Sequence, residues 1–224
     1  TSTDSGNNTN WCFADCGATP ADVWNATDWT LYDSITIKHE NIDEPLTDFP
    51  VYVDLADLSA AFWAATPAAS STVGADIRIT NDAADTEMPR ELVSASSTAE
   101  TGELHFKADS ISSTTDTVFR VYYNGTTTAD YASTTTYGSQ NVWSNDYVAV
   151  LHLEGTGATT TDSVGNYDFA YQGGTPTKSA TLPLGGYNLD GTGDYLTYDG
   201  AVFGEDKDPF TYQMWINADS LRRQ

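Results

Sequence analysis

A chain of 224 residues with 39% hydrophobic content can bury a real core, and its mean hydropathy of -0.39 fits a folded domain with a polar surface. Its 32 acidic residues against 9 basic ones give a net charge of -23, and such a field repels nucleic-acid phosphates and anionic membranes. Neither is an expected partner. Of the acids 24 are Asp, a bias that fits two causes equally, a surface adapted to salt water or calcium-binding loops.

No apolar run is long enough to span a bilayer, and no charged-then-apolar signal segment stands at the front. The start at Thr1 is expected of a fragment or of a chain that has lost a leader. Residues 1–28 read as a polar lead-in. Cys12 and Cys16 in WCFADC lack the histidine of a haem attachment and the second pair of a zinc site, so a local disulfide in an oxidising compartment is expected. Asn7 and Asn25 fit the acceptor pattern for N-glycosylation, as does Asn124 further on. Trp11, Trp24 and Trp29 are expected to anchor this lead-in against the domain on its C-terminal side.

A β-sandwich domain is predicted over 29–125. WTLYDSITIKHEN alternates Ile35 and Ile37 against Thr36 and Lys38, and Val51, Val53 and Leu55 alternate with Tyr52 and Asp54 after Pro50. ADLSAAFWAA, residues 56–65, has a helical flavour and is predicted to cross an open end of the sandwich. GADIRITN and RELVSAS are the next strands, with Asp76, Arg78, Arg90 and Glu91 expected as a charged ladder at the sheet surface. The stretch GELHFKADSISSTTDTVFRVYYNG then reads as two strands facing each other across a polar turn. Leu104, Phe106 and Ala108 mark the apolar face of the first, and Phe119, Val121 and Tyr123 that of the second.

LTDFPVYVDL, GADIRITNDAADTEMPRELVS and GELHFKADSISSTTDTVFRVYYNG together resemble an uncharacterised β-domain family of bacterial, archaeal and phage surface proteins. Its members show a Phe-Pro-hydrophobic strand, an Asp-Ile-Arg strand and a closing Tyr-Tyr strand. The resemblance implies a surface setting and attaches no catalytic role to these motifs.

Residues 126–142, TTTADYASTTTYGSQNV, read as a Thr/Ser-rich linker. From 143 to 224 the strand DYVAVLHLEG, the loop TDSVGNYDFAYQGG, the hairpin LGGYNLDGTGDYLTYDG and the strand PFTYQMWINADS resemble the opening of laminin-G-like, concanavalin A-like jelly-roll modules. The expected fold class is therefore all-β, with two antiparallel β-sandwich, jelly-roll-like domains. The second is expected to be incomplete, because such modules need on the order of 150 residues, and it would be finished by further chain or by a neighbour.

By the same resemblance, Asp162, Asn166, Asp190 and Asp194 could ligate calcium, which wants six to eight oxygens. A second reading stands beside it, since Asp and Gly dominate turns for conformational reasons alone. Trp143, Tyr195, Tyr198 and Trp215 are the candidates for stacking on a sugar. A retaining glycosidase needs two carboxyls about 5 Å apart on one strand face, and the Glu-x-Asp spacing that would supply them is missing. His39, His105 and His152 stand isolated in sequence, without a nucleophile at motif spacing. The expectation is a non-catalytic extracellular surface or adhesion module that takes glycans or another surface ligand, with calcium as its candidate cofactor. The alternatives are a structural subunit of a filament, pilus or virion, with neighbouring copies as partners, and an ancillary part of a glycoside hydrolase.

Overall fold

The computed structural model describes residues 28–65, 73–125, 129–153, 158–173, 177–178, 186–189, 192–200, 211–214 and 216. Among them the chain is all-β apart from one short helix and a few 3-10 turns. Cys12, Cys16, Asn7 and Asn25 lie outside the described residues, as do Asp190 and Trp215.

Seven strands build the first sandwich: β1 (Trp29–Ile37), β2 (Leu46–Asp54), β3 (Arg78–Asn81), β4 (Glu87–Met88), β5 (Arg90–Ser96), β6 (Thr101–Ile111) and β7 (Thr117–Gly125). They form two antiparallel sheets, ordered β1-β7-β3-β4 and β2-β6-β5. Consecutive strands change sheets everywhere except at β3-β4 and β5-β6. Pro89, between β4 and β5, stands at one such change, where the carbonyl it keeps accepts from the Lys107 N–H at 3.0 Å. Pro50 lies inside β2, which therefore begins ahead of it. That strand is the edge of its sheet, where a missing N–H breaks no ladder.

β6 and β7 do face each other, but not as one hairpin. β6 pairs with β2 and β5, while β7 pairs with β1 and β3, so each is central in its own sheet. Both have one apolar face and two backbone edges to satisfy, and this arrangement meets every requirement. Leu104, Phe106 and Ala108 bury against Phe119, Val121 and Tyr123 across the interior. Val51, Val53, Ile79 and Met88 complete the layer, each large side chain contributing roughly 1.5–3 kcal/mol when fully buried.

The helix α1 (Ala60–Ala65) is too short to hold itself and is fixed by packing. Phe62 meets Tyr123 edge-on at 5.2 Å, and Ser59 accepts the Phe62 N–H while its own N–H goes to Asp33.

Of the charged ladder expected at the surface, the two arginines are instead buried, and Asp76 and Glu91 are half-buried. Arg78 and Arg90 are each 2% exposed. Arg78 donates to the carbonyls of Ala75, Ile77 and Ala129 and lies over the ring of Tyr131, 4.3 Å from its centre. Arg90 donates to the same Ala75 carbonyl and to Asp130 at 2.8 Å. Backbone carbonyls and Asp130 take part of these guanidiniums' donors and Glu87 lies 3.7 Å from Arg78 Nε, while Arg78 Nε and Arg90 Nε and Nη1 are buried without a hydrogen-bond partner. The same contacts hold the described part of the Thr-rich stretch, 129–142, down on the sandwich, and a 3-10 turn over Ser139–Trp143 packs on β5 and β6.

Beyond it, β8 (Thr159–Thr160), β9 (Phe169–Gln172) and β12 (Tyr195–Thr197) form a sheet ordered β12-β9-β8, and β10 (Thr177–Lys178) pairs with β11 (Tyr187–Asn188). The predicted hairpin around LDGTGD is not formed, because β11 and β12 pair elsewhere. DYVAVLHLEG, predicted as a strand, is irregular over its described residues. Its Val150 N–H and carbonyl are taken by the Asp162 carboxylate and the Ser163 N–H, and Leu153 turns left-handed at φ 57. The described residues of PFTYQMWINADS, 211–214 and 216, carry no strand. Among the described residues no helix is long and apolar enough to cross a membrane.

Candidate functional site

Alternation along β6 that sends Leu104 and Phe106 inward sends Glu103 and His105 to the outer face of their sheet. Glu91 on β5 lies opposite His105, just before a bulge between Leu92 and Ser94. A strand face of this kind normally meets water. Here Trp143 and His152 close over it, with the Trp143 ring 5.1 Å from His105 and 5.7 Å from His152.

The result is a chain of carboxylates and imidazoles. Glu103 Oε1 lies 2.8 Å from His105 Nε2 and 3.2 Å from His152 Nδ1. His152 Nε2 reaches Glu91 Oε2 at 3.2 Å. Trp143 Nε1 and Ser163 Oγ each donate to Glu91 at 2.5 Å. Glu103 is 5% exposed, and its second oxygen, Oε2, is buried with no hydrogen-bond partner.

Burial by itself pushes both carboxyls up, but the imidazoles outweigh it. Hydrogen bonds from His105 and His152 bring Glu103 down to about 2, and bonds from His152, Ser163 and Trp143 hold Glu91 below the usual carboxylate range. Burial pushes His152 down, yet its bonds to Glu103 and Glu91 raise it to about 9. Both carboxylates thus favour the charged form of His152 over the neutral one. Ser163 and His152 both address Glu91 and are not bonded to each other, so the imidazole is not set to take the hydroxyl proton as a nucleophile's base must.

Among the described residues, Glu103, His105 and His152 are the group whose metal-ligating atoms converge, all within 4.8 Å of one another. Of the residues expected to hold calcium, Asp162, Asn166 and Asp194 are among those described. Asp162 is buried and spends its carboxylate on its own loop: Oδ1 accepts from Val150 and Val164, and Oδ2 from Asn166 and Tyr167, at 2.8–3.1 Å. Four N–H donors fill its lone-pair directions. Asn166 is exposed, and Asp194 lies just ahead of β12.

Of the expected sugar-stacking residues, Trp143, Tyr195 and Tyr198 are among those described. Trp143 is 6% exposed, its ring flanked by His105, Tyr147 and His152, and so offers no open face. Tyr195 is 55% exposed on β12, while the ring of Tyr198 packs on Tyr167 and Phe169. Asn124 is exposed at the end of β7, in a left-handed turn with φ 59.

Sequence reasoning passed over this cluster because its members come from residues 91, 103, 105, 143, 152 and 163. One local signal was present, the Glu-x-His of Glu103 and His105 on the polar face of a strong strand.

Fold and site define an all-β protein with a two-sheet sandwich and a buried carboxylate–imidazole cluster on one outer face. No family model, no curated protein and no solved structure matches the chain.

Proposed function

We propose that this chain is a non-catalytic module of an extracellular surface protein that binds neutral, hydroxyl-rich ligands of the glycan type. The supporting observation is a shallow cleft of about 470 Å³ beside β6, lined among others by Asp48, Lys107, Asp109, Thr136, Tyr137 and Asn141. Sugar hydroxyls both donate and accept, and such a wall of carboxylate, ammonium, amide and hydroxyl groups with one aromatic ring answers both needs. The net charge of -23 disfavours acidic glycans.

The test is a glycan array probed with the full chain and with the double variant Asp109→Ala, Tyr137→Ala. Binding to neutral glycans that the double variant loses is the expected result. An empty array with folded protein, or binding that the variant retains, removes the proposal.

A second reading, a structural subunit of an extracellular filament or appendage, is favoured by the sheet edges. β1 and β2 are the outermost strands of their sheets and carry Leu31, Tyr32, Phe49 and Tyr52 at 37–46% exposure. Unpaired edges recruit further strands. Sedimentation separates the two, since ordered polymers support the subunit and a monomer at high concentration argues against it.

A further inference from the structure

We propose that Glu103, His105 and His152 form a mononuclear zinc site, with Glu91 as the outer carboxylate that orients His152. This goes beyond the ligand-binding reading and does not depend on it.

The geometry supplies three arguments. First, two imidazole nitrogens aim at one carboxylate oxygen, at 2.8 and 3.2 Å. A tetrahedral zinc with bonds of about 2.0–2.1 Å holds its ligand atoms roughly 3.3 Å apart, so small side-chain rotations make room for the ion. Second, Glu103 Oε2 is buried without a partner, a cost that a cation bound to this carboxylate removes. Third, the far nitrogen of His152 is gripped by Glu91 at 3.2 Å, and Glu91 is itself fixed by Trp143 and Ser163. A carboxylate on the outer nitrogen is how proteins set the tautomer and angle of a ligating histidine.

The donor set chooses the metal. Two imidazoles and one carboxylate suit a borderline-soft ion with few ligands, whereas calcium and magnesium demand shells built from oxygen. Three protein ligands leave a fourth position for water. A cavity of about 290 Å³, lined by Glu91, His152 and Ser163 among others, opens at the His152 end of the cluster.

The test uses the full chain, stripped with a chelator and titrated with zinc by calorimetry. One saturable equivalent per chain is expected. His105→Gln should abolish it, Glu91→Gln should weaken it by about 10–100-fold, and His39→Ala, an exposed histidine paired with Asp116, should leave it unchanged. X-ray absorption on the zinc-loaded wild-type chain should show two imidazoles in the first shell, a readout that needs no variant to fold. Absence of a saturable site on folded protein, affinity that survives His105→Gln, or a shell without imidazole each overturns the proposal.

Discussion

Phe106 of β6 and Phe119 of β7 meet across the interior with ring centroids 4.9 Å apart, inclined at 63°. This contact lies between the central strands of the two sheets, in the core that Leu104, Val121 and Tyr123 share, so both sheets lose support when it is removed. Phe106→Ala should cost about 3–5 kcal/mol in urea unfolding, a large part of the stability of an ordinary domain. Phe49→Ala, at a site 40% exposed, should stay within roughly 1 kcal/mol. Equal losses at the two sites would contradict the assigned core.

Arg78 should resist conservative replacement. Its fork serves three carbonyls and its plane lies on Tyr131, whereas a lysine ammonium neither stacks in that way nor spans the same acceptors. Arg78→Lys and Arg78→Ala should both destabilise, the latter by about 3–5 kcal/mol, as when a buried charge network loses one member. Amide exchange at Tyr131 should quicken in both variants. A neutral Arg78→Lys would show that the buried fork is dispensable.

Glu87 gives the sandwich a pH dependence of definite sign. Burial pushes its carboxyl up, against the opposing pull of the Tyr131 hydroxyl, Arg78 and Arg90. The folded chain therefore holds this proton more tightly than the unfolded chain. The stability it contributes is complete below the ordinary value of 4.5 and is lost as pH rises through the folded value. Glu87→Gln should remove that slope, so that the variant gains on wild type between roughly pH 4 and 7 in thermal melts. A gain that shrinks with rising pH would reverse the argument.

The loop around Asp162 should depend on one left-handed glycine. Gly165 has φ +89, where a side chain is strained whatever space surrounds it, and an added Cβ would also meet the Gln140 side chain. Gly165→Ala should cost roughly 1–3 kcal/mol. Gln140→Ala should not rescue it, because the clash involves a side chain that can move and the strain lies in the backbone. Thermal melting of the single and double variants distinguishes these causes, and full rescue would place the cost in the clash.

The sequence by itself determined the all-β class, the inward faces of β2, β6 and β7, and the helical turn at Phe62 and Trp63. All of these come from periodicity, which is local: a side chain two residues along a strand returns to the same face whatever the partner. The same alternation set Glu103 and His105 side by side on a polar face.

Only the tertiary structure decided which strands pair, that Arg78 and Arg90 are buried under the 129–143 segment, and that the described residues of DYVAVLHLEG are irregular, with the Val150 N–H taken by Asp162. It also brought His152, Trp143 and Ser163 onto Glu91, across separations of 52 to 72 residues. Such meetings depend on strand register and loop path, and these are settled by the combined burial of many distant side chains and by the need of every buried polar group for a partner.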